Sequence, residues 1–363
     1  MRNFTKRILC ISMAAMMTLG GLTGCGGNKA ASSAAPAAPA SSGGGDAAPA
    51  NGDPYADLDK VTWRFTHTQS ADHFQQVAMQ EFADFMKEKS GGKFTVEIFH
   101  SGTLGAEQEV LESMQTGSVA GMVAAASLLA NFVPAYNMFA LPALFEDEAQ
   151  FEQVMTDESF INKLKEASAN ANLIDYGYYQ NFFRQIYSKT PIEKFEDLNA
   201  QKIRVMGSDI LIDTYQALNC NATTTAWTEM YSALQLGVCD GLDHVPSSVK
   251  SMAFYENLEY VTSPRLFVTP MFMVVSKPMY DKLPQAYQQL VDEGINTVLV
   301  PRLREMADQA FDDDLAWLLS EGGLKETECD IAAIHEAVIP VRDKYAAQQE
   351  DWVQELIKEI LAK

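Results

Sequence analysis

The residues Lys202-Ile203-Arg204-Val205 alternate charged and apolar side chains, the period of a short strand with one buried face. Arg204 lies on the face opposite Ile203 and Val205, and two readings are open for it. On an exposed edge it is a solvated cation in a surface ion pair. At the wall of a cleft, a planar guanidinium makes two parallel charge-assisted bonds to a carboxylate. Covalent chemistry is not written in the motifs: there is no GxSxG, HExxH, GxxxxGK[ST] or Gly-rich dinucleotide turn. KSGGK at 89–93 lacks phosphate-loop spacing and reads as a glycine-capped helix end. FDDDLAW at 311–317 lacks the glycine and closing glutamate of a calcium loop. After Cys25 only Cys220, Cys239 and Cys329 remain, with no metal-ligand spacing; Cys220 and Cys239 either pair or lie buried as free thiols. The chain therefore reads as a binder with no cofactor and no metal, not as an enzyme.

The elements that must position Arg204 alternate along the chain. VTWRFTHT, KFTVEIFH, GMVAAAS, LIDYGYYQ, KIRVMG and MFMVVS read as strands. DHFQQVAMQEFADFMKEKSGG, with Phe74, Val77, Ala78, Phe82 and Phe85 near helical spacing, reads as a helix. GAEQEVLESMQTG, DILIDTYQALN, TEMYSALQLG, the run 284–323 and the run 337–363 read the same way, Pro301 making the fourth one long bent helix or two. Strands alternating with helices give α/β sheets, whose ligands sit beyond the carboxyl ends of the strands. The uncharged stretch 113–145 is broken by Gly117, Gly121, Pro134 and Pro142, so it reads as core and not as a membrane span.

The ends set the compartment. Arg2, Lys6 and Arg7 precede an apolar stretch from Ile8 to Leu22, followed by Leu22-Thr23-Gly24-Cys25. This is the layout of a secretory signal over residues 1–24, and small residues before a cysteine resemble a bacterial lipobox, implying lipidation of Cys25. Residues 25–53, nearly all Gly, Ala, Ser and Pro beyond the cysteine, read as a flexible tether with a reach of roughly 30 Å. The folded part, 54–363, is 310 residues, enough for two lobes. The formal charge is −21; residues 1–24 carry three cations and no anion, so their removal leaves −24. Such a balance excludes nucleic acid and anionic lipid surfaces as partners and makes a cation facing a cleft conspicuous.

Three quoted runs carry a resemblance. SGGKFTVEIFHSGTLGAEQEVLESMQTG, NFFRQIYSKTPIEKFEDLNAQKIRVMG and TEMYSALQLGVCDGLDH with FYENLEYVT resemble, in order, the solute receptors of tripartite ATP-independent periplasmic (TRAP) transporters of the DctP type. The similarity spans 60–363. It implies a two-lobed periplasmic-binding-protein-like α/β fold with a ligand cleft between lobes and a long helix crossing both. Lobe I would take 54–181 and 270–309, lobe II 182–269 and 310–363. The KIRV arginine of the family holds a ligand carboxylate, which assigns Arg204; Arg184 matches the second binding-lobe arginine. His244 stands where the family has Asn and Leu242 where it has Gln; His244 would donate from one ring nitrogen and make binding pH-sensitive if it must be charged. Asp243 replaces a Glu and would orient His244 or an arginine. Trp227 replaces a Phe that packs on the ligand body. His67, Gln69, Asp72 and Ser127 follow first-lobe strands and would face the cleft. The partners implied are a small organic acid and the small and large membrane permease subunits, with the receptor a lipid-anchored, extracytoplasmic monomer. A ligand sensor feeding a signalling receptor is the alternative use of the same cleft, and a binding protein for an ABC-type importer a third.

Overall fold

The structure, a computed structural model, describes residues 53–268 and 270–362. The signal segment, Cys25 and nearly all of the tether lie outside the described residues. Eleven strands, numbered along the chain, form two sheets among the described residues. The first joins β1 (Val61–Thr66), β2 (Phe94–Phe99), β3 (Gly121–Ala125), β4 (Leu173–Gln180) and β10 (Met271–Ser276) in the order β2-β1-β3-β10-β4. The second joins β5 (Gln185–Ser188), β6 (Lys202–Val205), β7 (Asn221–Thr224), β8 (Gly241–His244), β9 (Tyr260–Thr262) and β11 (Lys325–Thr327) in the order β11-β9-β5-β8-β6-β7. β1 runs parallel to β2 and β3, and β6 parallel to β7 and β8; β10 and β5 run antiparallel to their neighbours. This is the two-lobed periplasmic-binding-protein fold.

The first sheet is held by aromatic packing. Trp63 and Phe65 alternate inward on β1, Trp63 meeting Phe94 edge to face and Phe65 stacking on Phe82. Gly121 is required where β3 meets this layer, because a Cβ there would lie 2.5 Å from the Phe65 ring. Helix α1 (Phe74–Lys89) buries Phe74, Ala78, Met79, Phe82, Ala83 and Met86. Val77, placed on that face by spacing, is instead exposed. The stretch 113–145 is core: every residue of β3 is buried, as are Tyr136, Met138 and Phe139 of the 3-10 turn that follows. No helix among the described residues is long and apolar enough to cross a membrane.

The chain crosses between sheets at 181–184 and again at 263–268. The crossings run antiparallel, Phe183 pairing with Val268. A third connection is helical. Gln285–Gly294, a π-turn Ile295–Leu299 and Val300–Ser320 form one uninterrupted run, so Pro301 does not divide it. The π-turn ends just ahead of Pro301, at the start of the next α segment, where a missing N–H costs least. This helix packs on β4 and α1 at one sheet and on Pro246–Ser251 at the other, with Lys250 and Asp314 paired at 2.6 Å.

The C-terminal region is two helices, Ile331–Ala346 and Asp351–Leu361, and not one. Asp330 caps the first by accepting from the Ala333 N–H, 3.1 Å. The second buries Val353, Ile357 and Ile360 in the core that holds Phe139, Phe151 and Phe160, and Trp352 packs on Phe160. It therefore leans on the first sheet's neighbourhood. Cys220, Cys239 and Cys329 are free thiols, the first two buried.

A cationic cleft between the two sheets

Strand direction explains where the functional side chains gather. β1, β3, β4, β6, β7 and β8 all end at the same crevice, and β5 and β10, antiparallel, begin there. The residues just past those ends line a cleft of about 470 Å³: Thr68 and Gln69 after β1, Leu128 after β3, Met206 and Gly207 after β6, Thr225 to Trp227 after β7, Val245 and Ser248 after β8. Arg184 enters just before β5 and Met271 at the start of β10. The walls touch directly. Gln69 Nε2 donates to Ser248 Oγ at 3.2 Å, Ser127 Oγ to Met206 Sδ at 3.4 Å, and Asn131 Nδ2 to the Gly207 carbonyl at 3.4 Å.

Arg204 and Arg184 are both 5 % exposed but differ in their partners. Arg184 Nη2 donates to Asp243 Oδ1 at 2.9 Å and also to the Asp243 carbonyl. Arg204 Nε donates to the Thr225 carbonyl at 3.0 Å, and its Nη1 is buried with no partner. Burial and the neighbouring Arg184 cation push Arg204 down to about 10, which still leaves it charged at neutral pH. The guanidinium lies 5.5 Å from the Trp227 ring centroid, a cation–π distance. Trp227 is fixed edge-on to Phe254 at 4.9 Å and faces the His244 ring at 4.4 Å. Burial first, then Arg184 and Arg204, push the His244 imidazole well below its ordinary value. Without an anion on these arginines it is therefore neutral at physiological pH.

The nine residues singled out in the sequence divide. Arg204, Arg184, His244, Trp227 and Gln69 line the cleft, and Asp243 lies behind it as the partner of Arg184. His67, Asp72 and Ser127 do not line it. His67 turns toward α1, where its Nε2 meets Gln76 Oε1 at 3.0 Å. Asp72 is exposed and accepts from Ser70. Ser127 lies in the helical turn Ala126–Leu129, which buries its hydroxyl on Met206. Proximity in sequence to a strand end was the only signal for these three, and the local turns redirect their side chains.

Sequence reasoning missed Glu107, Gln75, Gln108, Asn131 and Gln180, which also line the cleft. Glu107 opens helix α2 (Glu107–Gln115). Its Oε1 accepts from the Thr68 hydroxyl at 3.0 Å, while Oε2 is buried and unpartnered. Burial raises this carboxyl above the usual carboxylate range, against the opposing pull of Thr68, Arg204 and Arg184. His73, buried at the start of α1, is pushed down to about 3 by the same desolvation. Buried polar atoms without partners concentrate at the cleft: Gln69 Oε1, Glu107 Oε2, Arg184 Nε, Arg204 Nη1, Trp227 Nε1 and His244 Nδ1. Such atoms are costly unless something polar meets them.

Two sheets whose strands converge on a cleft holding a buried, carboxylate-free guanidinium define a two-lobed solute-binding protein. The model of the bacterial extracellular solute-binding protein family 7, DctP, matches residues 65–349, and the chain belongs to that family. Among solved structures it is similar to a TRAP periplasmic solute-binding protein from Pseudomonas putida F1 with bound D-glucuronate, at 28% identity and TM-score 0.77, covering 84% of this chain and 97% of that one. It is also similar to a sugar acid binding protein from Advenella mimigardefordensis in complex with galactonate, at 26% identity and TM-score 0.79, covering 84% and 98%. A C4-dicarboxylate-binding protein from Bacillus subtilis is 25% identical over 305 residues, 82% of this chain and 81% of its own. Members of the family are extracytoplasmic receptors, not enzymes: they bind small organic acids and work with TRAP permease subunits.

Proposed function

We propose that this receptor captures a monocarboxylic sugar acid, with the carboxylate on Arg204 and the ring or chain over Trp227. The observation that carries the proposal is Arg204 itself, a buried guanidinium held to one carbonyl and facing a cavity without a carboxylate partner. Arg184 and His244 add donors on the same side, and Asp243 holds Arg184 in place. The opposite wall supports a polyhydroxy ligand over a C4-dicarboxylate. It presents Gln69, Gln75, Gln108, Asn131 and Gln180, amides that match hydroxyl groups, and no cation to pair with a second anionic end. Bound glucuronate and galactonate in the two similar structures agree with this choice.

The lobes proposed to close on the ligand are 54–181 with 270–309 and 182–269 with 310–363. Ligand favours closure because it contacts both walls only when they are together. The receptor is proposed to act as a monomer, tethered through a lipidated Cys25 by residues 26–53. Exchange of Cys25 for Ala should release the protein from membranes.

Thermal unfolding against D-glucuronate, D-galacturonate, galactonate, succinate and glucose tests the ligand class. A ligand at about 100 times its Kd adds roughly 2.7 kcal/mol. Upward shifts with the sugar acids and none with glucose support the reading; a shift with succinate alone replaces it with a dicarboxylate receptor.

A further inference from the structure

Glu107 is the only carboxylate among the cleft-lining residues, and it shares the cavity with Arg204. Although the residue as a whole is half-buried, its Oε2 is sealed from water and meets no donor. We propose that Glu107 takes up a proton when an anionic ligand occupies Arg204, so that capture of the ligand is coupled to capture of a proton.

The argument is electrostatic and geometric. In the empty cleft the ionised carboxylate is supported by the Thr68 hydroxyl, by Arg204 and Arg184, by a backbone hydrogen bond from Ala125 and by the amino end of α2. Burial opposes that support. A ligand carboxylate on Arg204 cancels the nearest uncommitted cation, places a second anion in the cavity and expels the remaining water. Arg184 does not compensate, because Asp243 already holds it. Each change disfavours the charged form of Glu107, and none favours it. Protonated, Oε2 becomes a donor to an oxygen of the ligand.

The other titratable groups around Glu107 are neutral before the ligand binds; an anion on Arg204 favours protonation of His244 as well, and Glu107→Gln separates the two sources. His73 from α1 and His244 from β8 are held neutral by burial, His244 with Arg184 and Arg204 adding to the effect. Tyr179 from β4 is held in its neutral form well above its ordinary value. Glu109 on α2 points to the Ala106 N–H at 3.0 Å. Because Glu107 would bind its proton more tightly in the complex than in the free receptor, affinity is highest at low pH and falls as pH rises through the interval between those two values, by up to about tenfold per pH unit.

The inference needs an anionic ligand but not a particular one. Isothermal titration of the whole mature receptor with D-glucuronate at constant pH, in two buffers of different ionisation enthalpy, counts the protons taken up. Proton uptake on binding, an affinity that falls as pH rises, and loss of both in Glu107→Gln are the expected results. Binding with no uptake, or uptake that persists in Glu107→Gln, overturns the proton coupling and leaves the ligand class standing. If glucuronate does not bind but succinate does, the same titration with succinate decides the coupling while the sugar-acid reading falls.

Discussion

The wall contributed by the second sheet carries two guanidiniums, an indole and an imidazole; the wall contributed by the first carries amides and one carboxylate. The first set is pre-assembled. Asp243 clamps Arg184, Thr225 holds Arg204, and Phe254 and His244 fix Trp227. On the first-sheet wall, side chains bond outward or across the gap: Gln75 to Tyr179, Asn131 to Gln108 and Gly207, Gln69 to Ser248. On the proposed function, one wall holds a fixed charge and the other reads hydroxyl positions once the walls meet. Affinity and selectivity are placed on different sheets.

The sharpest way to break this contrast is within the arginine pair. Asp243→Ala strands Arg184 as an uncompensated buried cation and should lower unfolding stability by about 3–5 kcal/mol in urea denaturation. Arg204→Ala should leave the unliganded protein at least as stable, because it removes a charge with no ion-pair partner; equal losses in the two variants would abolish the distinction. In calorimetry, Arg204→Ala should weaken sugar-acid binding by about 2–5 kcal/mol. An affinity within about threefold of wild type, less than 1 kcal/mol, would remove Arg204 as the anchor.

Smaller effects test the meeting of the walls. Gly102 has φ +64°, and a Cβ there would lie 2.7 Å from Thr228 Cγ2 across the gap. Gly102→Val should weaken binding by about tenfold, 1.4 kcal/mol, beyond its backbone strain. Gly92→Ala, at φ +80° with nothing within 4 Å, is the strain-only control and should leave affinity unchanged. Gln69→Ala removes one bridge to Ser248 and one orphaned acceptor. About 1 kcal/mol in affinity is expected, with selectivity among epimeric sugar acids altered more than affinity for the best one.

Legibility in the sequence followed burial. β1, β2, β4, β6 and β10 were readable because their side chains form continuous apolar or alternating runs. β5, β7, β8, β9 and β11 are three or four residues long, as β6 is, but lack its alternation of charged and apolar side chains and are defined by their neighbours in the sheet. Arg204 was readable as a strand cation, and its motif supplied the role. Glu107 was not, because it is one of three acids with Glu109 and Glu112 on a short amphipathic helix, a pattern that reads as solvated surface. That helix's first turn lies against Thr68 and Ala125, at the carboxyl ends of β1 and β3, and that placement buries Glu107. The usable clue was its position after β2 and Gly105, at the carboxyl end of a strand, where such sheets place their ligands.

The sheet order carries a consequence for the chain's own assembly. β10 lies between β3 and β4, yet it is made 91 residues after β4 ends at Gln180, at Met271. The second sheet is interposed, and its edge strand β11 comes later still. A chain emerging amino-end first therefore reaches residue 270 with β3 and β4 unpaired on their facing edges and the first core open. Neither sheet can be completed before the other has begun, so the two lobes depend on each other for their final strands.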